Sequence, residues 1–438
     1  MKKIRIGAGA GFSGDRIEPA VELAEKGRLD FLVFECLAER TIALSQLRKR
    51  EDHNAGYDPL LSERMHAVLP ACRRNGVRVI SNMGAANPRA AARETIEIAR
   101  GLGLHGLRVA CIEGDDVLHL KDAFIPFDDQ PLPGNATIIS ANAYLGADAL
   151  AEALNRGADV VLTGRVADPS LFVGALTHAF GWEKGSWDLM GQGTAIGHLL
   201  ECAGQLTGGY FADPGYKDVP GLDRLGFPLA EVSEDGSALL TKVEGSGGLI
   251  TLQTCREQIL YEVMNPSSYI TPDVIADFTE IRFEQDASGA MRVSGAKGGP
   301  RPQHYKVSIG MNDGWIAEGQ ISYAGPGALA RAEMARQILE KRLAQTGAEE
   351  LRIDLIGLSS MHGTPAACPA PYEVRLRAAA RCRRELDAKG LTREVESLYL
   401  NGPAAGAGVT FAVRENIAIV PALIACEIVS PGISMEVA

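Results

Sequence analysis

The sequence predicts an α/β protein. An N-terminal parallel, Rossmann-like sheet over residues 1–270 carries the site, and a smaller C-terminal α+β domain over 271–438 closes the cleft. Three observations predict this. Short β-rich runs alternate with helical patterns through the first part of the chain. Those runs are apolar almost throughout, as strands are when helices cover both faces. The turn-rich stretch "NPSSYITPDV" at 265–274 then separates this part from one with a different pattern.

The candidate strands are "KIRIG" at 3–7, "DFLVF" at 30–34, "VRVIS" at 77–81, "LRVACI" at 107–112, "ATIIS" at 136–140 and "DVVLT" at 159–163. Helical stretches such as Arg89–Leu102 and Asp148–Arg156 lie between them, so all six strands are expected in one parallel sheet. Past residue 275, strand patterns occur near 279–284, 305–310 and 315–323. A helix at 328–344, a strand at 351–357 and apolar strand-like runs complete the α+β domain. No repeat at a fixed period is present, which excludes a solenoid.

Composition narrows the function. The chain has 438 residues, 46% hydrophobic and 23% charged, with a formal charge of −11. That charge argues against nucleic acid or an anionic membrane as partner and leaves a small molecule. No stretch is apolar enough to span a bilayer. The opening "MKKIRIGAGAGF" lacks the apolar segment of a signal peptide. The eight cysteines form no CxxC pair and read as reduced thiols in a cytoplasm. A homo-oligomer is expected. No Walker, GxSxG, HExxH or DxDxDG motif occurs.

Ligands of parallel sheets bind beyond the carboxyl ends of the strands. The residues placed there are Gly11, Gly14, Asp15 and Arg16 after the first strand, Glu35 after the second and Asn82 after the third. Asp115 and Asp116 follow the fourth, Asn142 and Tyr144 the fifth, and Arg165 and Asp168 the sixth. Asn87-Pro88 and Asp168-Pro169 both have the form of a helix cap followed by proline. Between a strand and a helix start, Arg165 suits clamping a carboxylate or phosphate, or an ion pair with Glu113, Asp115 or Asp168.

Gly9 to Gly14 satisfies GxGxxG, and Glu35 stands about 20 residues on, where a ribose-binding acid is expected. Phe12 is bulky where a pyrophosphate backbone would approach, and Asp15 would repel phosphate at the helix start. No nicotinamide or flavin is therefore expected, and the loop should turn Asp15 and Arg16 to the cleft. Glu35 opens a second charged cluster, "ECLAERT". Gly245 to Gly248, with Gly247 and Gly248 at its end, precedes a helix. It reads as a cradle for a CoA phosphate or as a plain tight turn. His362 lies in the loop "SSMHGTP" and His304 precedes "YKV"; both read chiefly as structural, with a place facing the interdomain cleft as the alternative.

In "GTAIGHLLECAGQL" at 193–206, helical spacing puts Thr194, His198, Glu201, Cys202 and Gln205 on one face, with no lysine or arginine. His198 and Glu201 sit at i and i+3, within touching distance. A proton-transfer dyad is the preferred reading, beside simple burial. Asp168 and Asp15 are the further candidate acids. No spaced third ligand supports a metal site.

The motifs "GAGAGFSGDR", "FECLAERT", "SNMGAANP", "ANAYLGAD", "LTGRVADPSL", "GHLLECAGQLTGGYFAD", "GFPLAEV", "KVEGSGG", "EQILYEVMNPSSYITPDVIADF" and "PQHYKVSIG" follow in this order. Together they resemble the acyclic terpene utilisation family of AtuA type, from about residue 3 to about 430. The resemblance implies a place in degrading citronellol- and geraniol-type compounds, which proceeds through acyl-CoA thioesters. The expectation is a cytoplasmic catabolic enzyme, a hydratase, lyase or isomerase, moving a proton on a small carboxylate or acyl-CoA. The alternatives are an accessory or binding subunit of such a pathway, and an NAD-dependent dehydrogenase using the 9–14 loop.

Overall fold

A computed structural model describes residues 2–128, 131–132, 138–363 and 369–438. The elements begin with β1 (Lys3–Ala10), α1 (Glu18–Lys26), β2 (Phe31–Phe34), α2 (Glu39–Glu51), α3 (Leu61–Asn75), β3 (Arg78–Ser81), α4 (Pro88–Gly101) and β4 (Arg108–Glu113). Next come β5 (Ile125–Pro126), β6 (Ile138–Ala143), α5 (Asp148–Asn155), β7 (Val160–Thr163), α6 (Ser170–Phe180) and α7 (Trp187–Glu201). They continue with β8 (Pro228–Ser233), β9 (Ala238–Lys242), α8 (Leu252–Leu260), β10 (Tyr269–Ile270), β11 (Ile275–Asp277), β12 (Arg282–Gln285), β13 (Met291–Ser294) and β14 (Lys297–Gly299). Last are β15 (His304–Ala324), α9 (Ala328–Leu343), β16 (Ala348–Ile356), β17 (Glu373–Cys382), α10 (Glu385–Asn401), β18 (Ala407–Ala425) and β19 (Gly432–Val437).

A ten-stranded sheet runs in the order β12-β13-β9-β8-β1-β2-β3-β7-β4-β19. Its centre, β1-β2-β3-β7-β4, is parallel. Antiparallel strands extend both sides, β8 beside β1 and β19 beside β4. The central strands "FLVF" and "VVLT" are buried at every position, which explains their unbroken apolar composition. Five of the six candidate strands occupy this parallel core. The run at 136–140 does not. Its residues 136–137 lie outside the described residues, and the strand that starts at Ile138 pairs with β15 in another sheet. An apolar run carries no record of which sheet will take it.

The chain divides into two compact units, one formed from Met1–Leu132, Ile139–Gly310 and Ile419–Ala438, the other centred on Met311–Ala418. The first runs past residue 270 because β10 to β14 and the start of β15 pack within it. In the second, β17 pairs antiparallel with β16 and with the end of β15, and α9 and α10 bury Ala332, Leu339, Leu391 and Val395 against those strands. The patterns at 305–310 and 315–323 prove to be one strand, β15.

Two cap readings separate here. Asn87 caps α4, its side chain accepting from the Ala90 N–H at 3.3 Å, with Pro88 in the first turn. Asp168 does not cap α6, whose N-cap is Pro169; its carboxylate goes to Arg165 instead. The helix expected at 193–206 begins at Trp187 and ends at Glu201. Its glycines serve close approach: a Cβ on Gly191 would stand 2.1 Å from the Lys297 carbonyl oxygen, and one on Gly197 would stand 2.8 Å from that of Pro169. No helix among the described residues is long and apolar enough to cross a membrane.

Candidate functional site

A cavity of about 430 Å³ opens in the first unit where the parallel strands end. Gly11 reaches it from the end of β1, Glu35 from β2, and Arg165 and Asp168 from β7. Tyr144 arrives from β6, outside the parallel sheet, because main-chain bonds bring that segment in. Tyr144 N donates to the Lys306 carbonyl at 2.9 Å and Leu145 N to that of Arg165 at 3.2 Å. Glu201 and Cys202 enter from the end of α7.

Arg165 is the electrostatic centre. Its side chain is 2% exposed. Nη2 donates to Asp168 Oδ1 at 2.9 Å, while Nε and Nη1 are buried without a protein partner. The guanidinium lies over the Tyr144 ring, 4.1 Å from its centroid. Below it, Asp115 accepts the Arg165 N–H and the Asn142 amide, both at 2.9 Å, and burial lifts its carboxyl to about 6. Burial likewise pushes Asp168 up to about 7; Arg165 opposes the rise, and Glu201 and Glu39 add to it.

Glu35 is buried, and burial raises its carboxyl well above the ordinary range. Its Oε1 accepts from Leu37 N and from Asn82 Nδ2, each at 2.9 Å. Asn82 therefore acts through Glu35 and does not line the cavity. Glu39, the first residue of α2, accepts from the Tyr144 hydroxyl and from Lys306 Nζ, the latter at 3.2 Å. Burial works to raise Glu39, but the Tyr144 bond and the charges of Arg165 and Lys306 bring it down to about 2.

The expected His198–Glu201 pair is present, with Nδ1 and Oε1 2.6 Å apart. Its placement is asymmetric. Glu201 lines the cavity, whereas the His198 ring lies behind it, 5.1 Å from Tyr269 and 6.1 Å from Phe278 between centroids. Burial disfavours the imidazolium, but Glu201 outweighs this and raises the histidine. His198 Nε2 and Glu201 Oε2 are buried with no partner.

Several expected residues do not line this cavity, though Asp15 and Arg16 line the groove that adjoins it. Asp15 turns back onto its own loop, accepting from Gly11 N and Arg16 N at 2.9 Å each. It thereby consumes the loop amide that a pyrophosphate would use. Gly11 itself is pressed on Cys202, whose backbone a Cβ would meet at 2.6 Å. Arg16 donates to the Leu222 and Asp223 carbonyls, and Phe12 covers Gly14. Gly247 N and Gly248 N donate to the carbonyls of Arg224 and Pro220, so these amides are spent on the 220–224 segment and form no free anion cradle. Asn142 supports Asp115 instead of facing the cavity. His304 does line it, while His362 is exposed in the other unit. Among the described residues, no group of three or more His, Cys, Asp or Glu side chains is arranged to hold a metal ion.

The family model for the acyclic terpene utilisation family protein AtuA matches residues 4–435. The chain belongs to this family. No curated protein and no solved structure matches it. For this AtuA-family chain, the match spans every residue of the cavity. Sequence reasoning missed Glu39, Lys306, Tyr269 and Glu262 in the lining. Glu39 had a signal, since it stands in the charged cluster after β2. The others lie in the motifs "EQILYEVMNPSSYITPDVIADF" and "PQHYKVSIG", which marked the family but no role for a single side chain.

Proposed function

We propose that the protein is a catabolic enzyme of acyclic terpene utilisation that moves a proton on a small carboxylate or acyl thioester, in the hydratase, lyase or isomerase class. One observation carries this reading. A fully buried arginine lines the cavity with two nitrogens free of protein partners, and the carboxylate it does hold, Asp168, lines the same cavity. Arg165 holds the substrate's carboxylate or thioester oxygen, where negative charge grows as a neighbouring carbon loses its proton. Asp168 takes that proton, helped by a value of about 7 that lies near neutral pH. Glu201, backed by His198, contributes a second carboxylate to the field.

A groove of about 500 Å³ shares Gly11, Cys202 and Tyr261 with the cavity; Phe12, Tyr210, Leu225 and Phe227 give it an apolar wall, and Asp15, Arg16 and Gln205 a polar one. It takes the apolar remainder of the acyl group. The glycine loop, closed by Asp15, supports chemistry without nicotinamide or flavin.

The test is solvent exchange. Short and branched acyl-CoA thioesters and their free acids are incubated with the protein in D2O, and deuterium beside the carbonyl is read by mass spectrometry. Exchange should fall as pH drops below about 7, where Asp168 gains a proton. Asp168→Asn should reduce it at least about 100-fold. Exchange absent across the set, or unchanged in Asp168→Asn, overturns the reading.

A further inference from the structure

The cavity carboxylates differ in what holds them. Asp168 is paired with Arg165, Glu39 with Lys306 and Glu201 with His198. Glu262 is exposed. Glu35 is the buried carboxyl with no cationic partner: its Oε1 takes two neutral donors, Leu37 N and Asn82 Nδ2. Nor can the Asn82 amide turn over, because its Oδ1 accepts the Cys36 N–H at 2.7 Å. The amide NH2 must face Glu35, and Oε1 must be an acceptor. A proton on Glu35 then sits on Oε2. Glu35 lies close enough to the Arg165–Asp168 pair to feel both charges, and two carboxyl groups buried near each other hold a proton between them. The ion pair keeps it off Asp168, so Glu35 carries it.

We propose that Glu35 is the general acid of the site and that the substrate is a 3-hydroxyacyl compound, which loses water reversibly to give the 2-enoyl compound. This rests on the proton-transfer reading above. Asp168 accepts the proton from Cα. The C–H electron pair becomes the second bond between Cα and Cβ. The Cβ–O bond breaks with its electrons on oxygen, and that oxygen takes the Glu35 proton and leaves as water. The Arg165 guanidinium holds the carbonyl oxygen or carboxylate that bears the developing charge. The step leaves the proton on Asp168 and the charge on Glu35. Exchange with water restores the starting state, and no oxidant or reductant enters.

The experiment uses 3-hydroxybutyryl-CoA, 3-hydroxyoctanoyl-CoA and 3-fluorobutyryl-CoA with the full chain in D2O. Wild-type protein should form enoyl product from the hydroxy compounds and exchange their α-hydrogens. Glu35→Gln keeps the shape and the Asn82 contact. It should lose water elimination at least about 100-fold while α-exchange stays within a few-fold of wild type. It should also expel fluoride nearly as fast as wild type, since fluoride needs little help from an acid. Equal losses of water elimination, fluoride elimination and exchange in Glu35→Gln would show a structural role only and overturn the proposal, as would no loss at all. Wild-type exchange without elimination refutes the proposal and leaves the proton-transfer reading standing. Neither exchange nor elimination overturns both.

Discussion

Arg165→Lys separates charge from geometry at the centre of the site. The natural side chain is 2% exposed and already spends Nη2 on Asp168 at 2.9 Å. Its Nε and Nη1 have no protein partner. Their N–H groups point from different edges of the planar guanidinium, so each suits a separate oxygen and they do not fork one carboxylate. Lysine keeps the positive charge but offers one ammonium. Pointed at Asp168, that ammonium preserves the ion pair and abandons the substrate. One charge-assisted hydrogen bond contributes about 1.5–3 kcal/mol, or about 10- to 150-fold in affinity. The variant should therefore lose at least about tenfold in kcat/KM. A rise in KM alone marks a contact equal in ground and transition states, and a fall in kcat marks one that strengthens as charge develops. Titration calorimetry with a non-reacting acyl analogue checks the binding part, and a thermal melt checks the fold. If Arg165→Lys keeps wild-type kcat/KM with an unchanged melt, the free nitrogens do not touch substrate and the anchoring role is wrong.

Two predictions concern stability. Asp273 is buried, accepts from Ala147 N at 2.7 Å and from Ser170 Oγ at 2.5 Å, and is lifted by burial from the ordinary 3.8 to about 6. The folded state thus holds this proton between about pH 4 and 6 while the unfolded chain releases it. Stability falls as pH rises through that window, by up to about 3 kcal/mol. Asp273→Asn can satisfy both partners and should be the more stable form in urea at pH 8 but not at pH 4; equal midpoints at pH 8 refute the argument. Alanine for glycine inside a helix ordinarily stabilises by about 1 kcal/mol, yet Gly191→Ala should cost about 1–3 kcal/mol, because its Cβ would meet the Lys297 main chain. Gly101→Ala, with nothing within 4 Å, should be neutral or stabilising; a melt that ranks the two variants the other way defeats the packing account.

Local chemistry was legible in the sequence, and long-range partnership was not. Parallel strands show as apolar runs because burial on both faces is a local demand, and "FLVF" and "VVLT" meet it at every position. The His198–Glu201 pair was legible because a spacing of three residues on a helix fixes which side chains meet, whereas Arg165–Asp168, ahead of its helix, was one of three ion pairs the sequence left open. Asn87 was legible as a cap for the same reason, since its acceptor faces an N–H three residues on. Asp168-Pro169 offered the same cap pattern, but a buried guanidinium outbid the helix end. Glu35 meets Asn82 across 47 positions, and Glu39 meets Lys306 across 267. No period in the sequence records such distances. The glycines mislead for a related reason: Gly11 and Gly14 read as a phosphate loop, yet they exist to admit the Cys202 backbone and the Phe12 ring. Glycine announces only that something comes close, and which neighbour comes is settled by the whole sheet. The same reasoning explains why the acid–base assignment turns on Glu35. Its character is set by the lack of a cation bonded to it, and by an asparagine whose orientation is fixed from a different strand end.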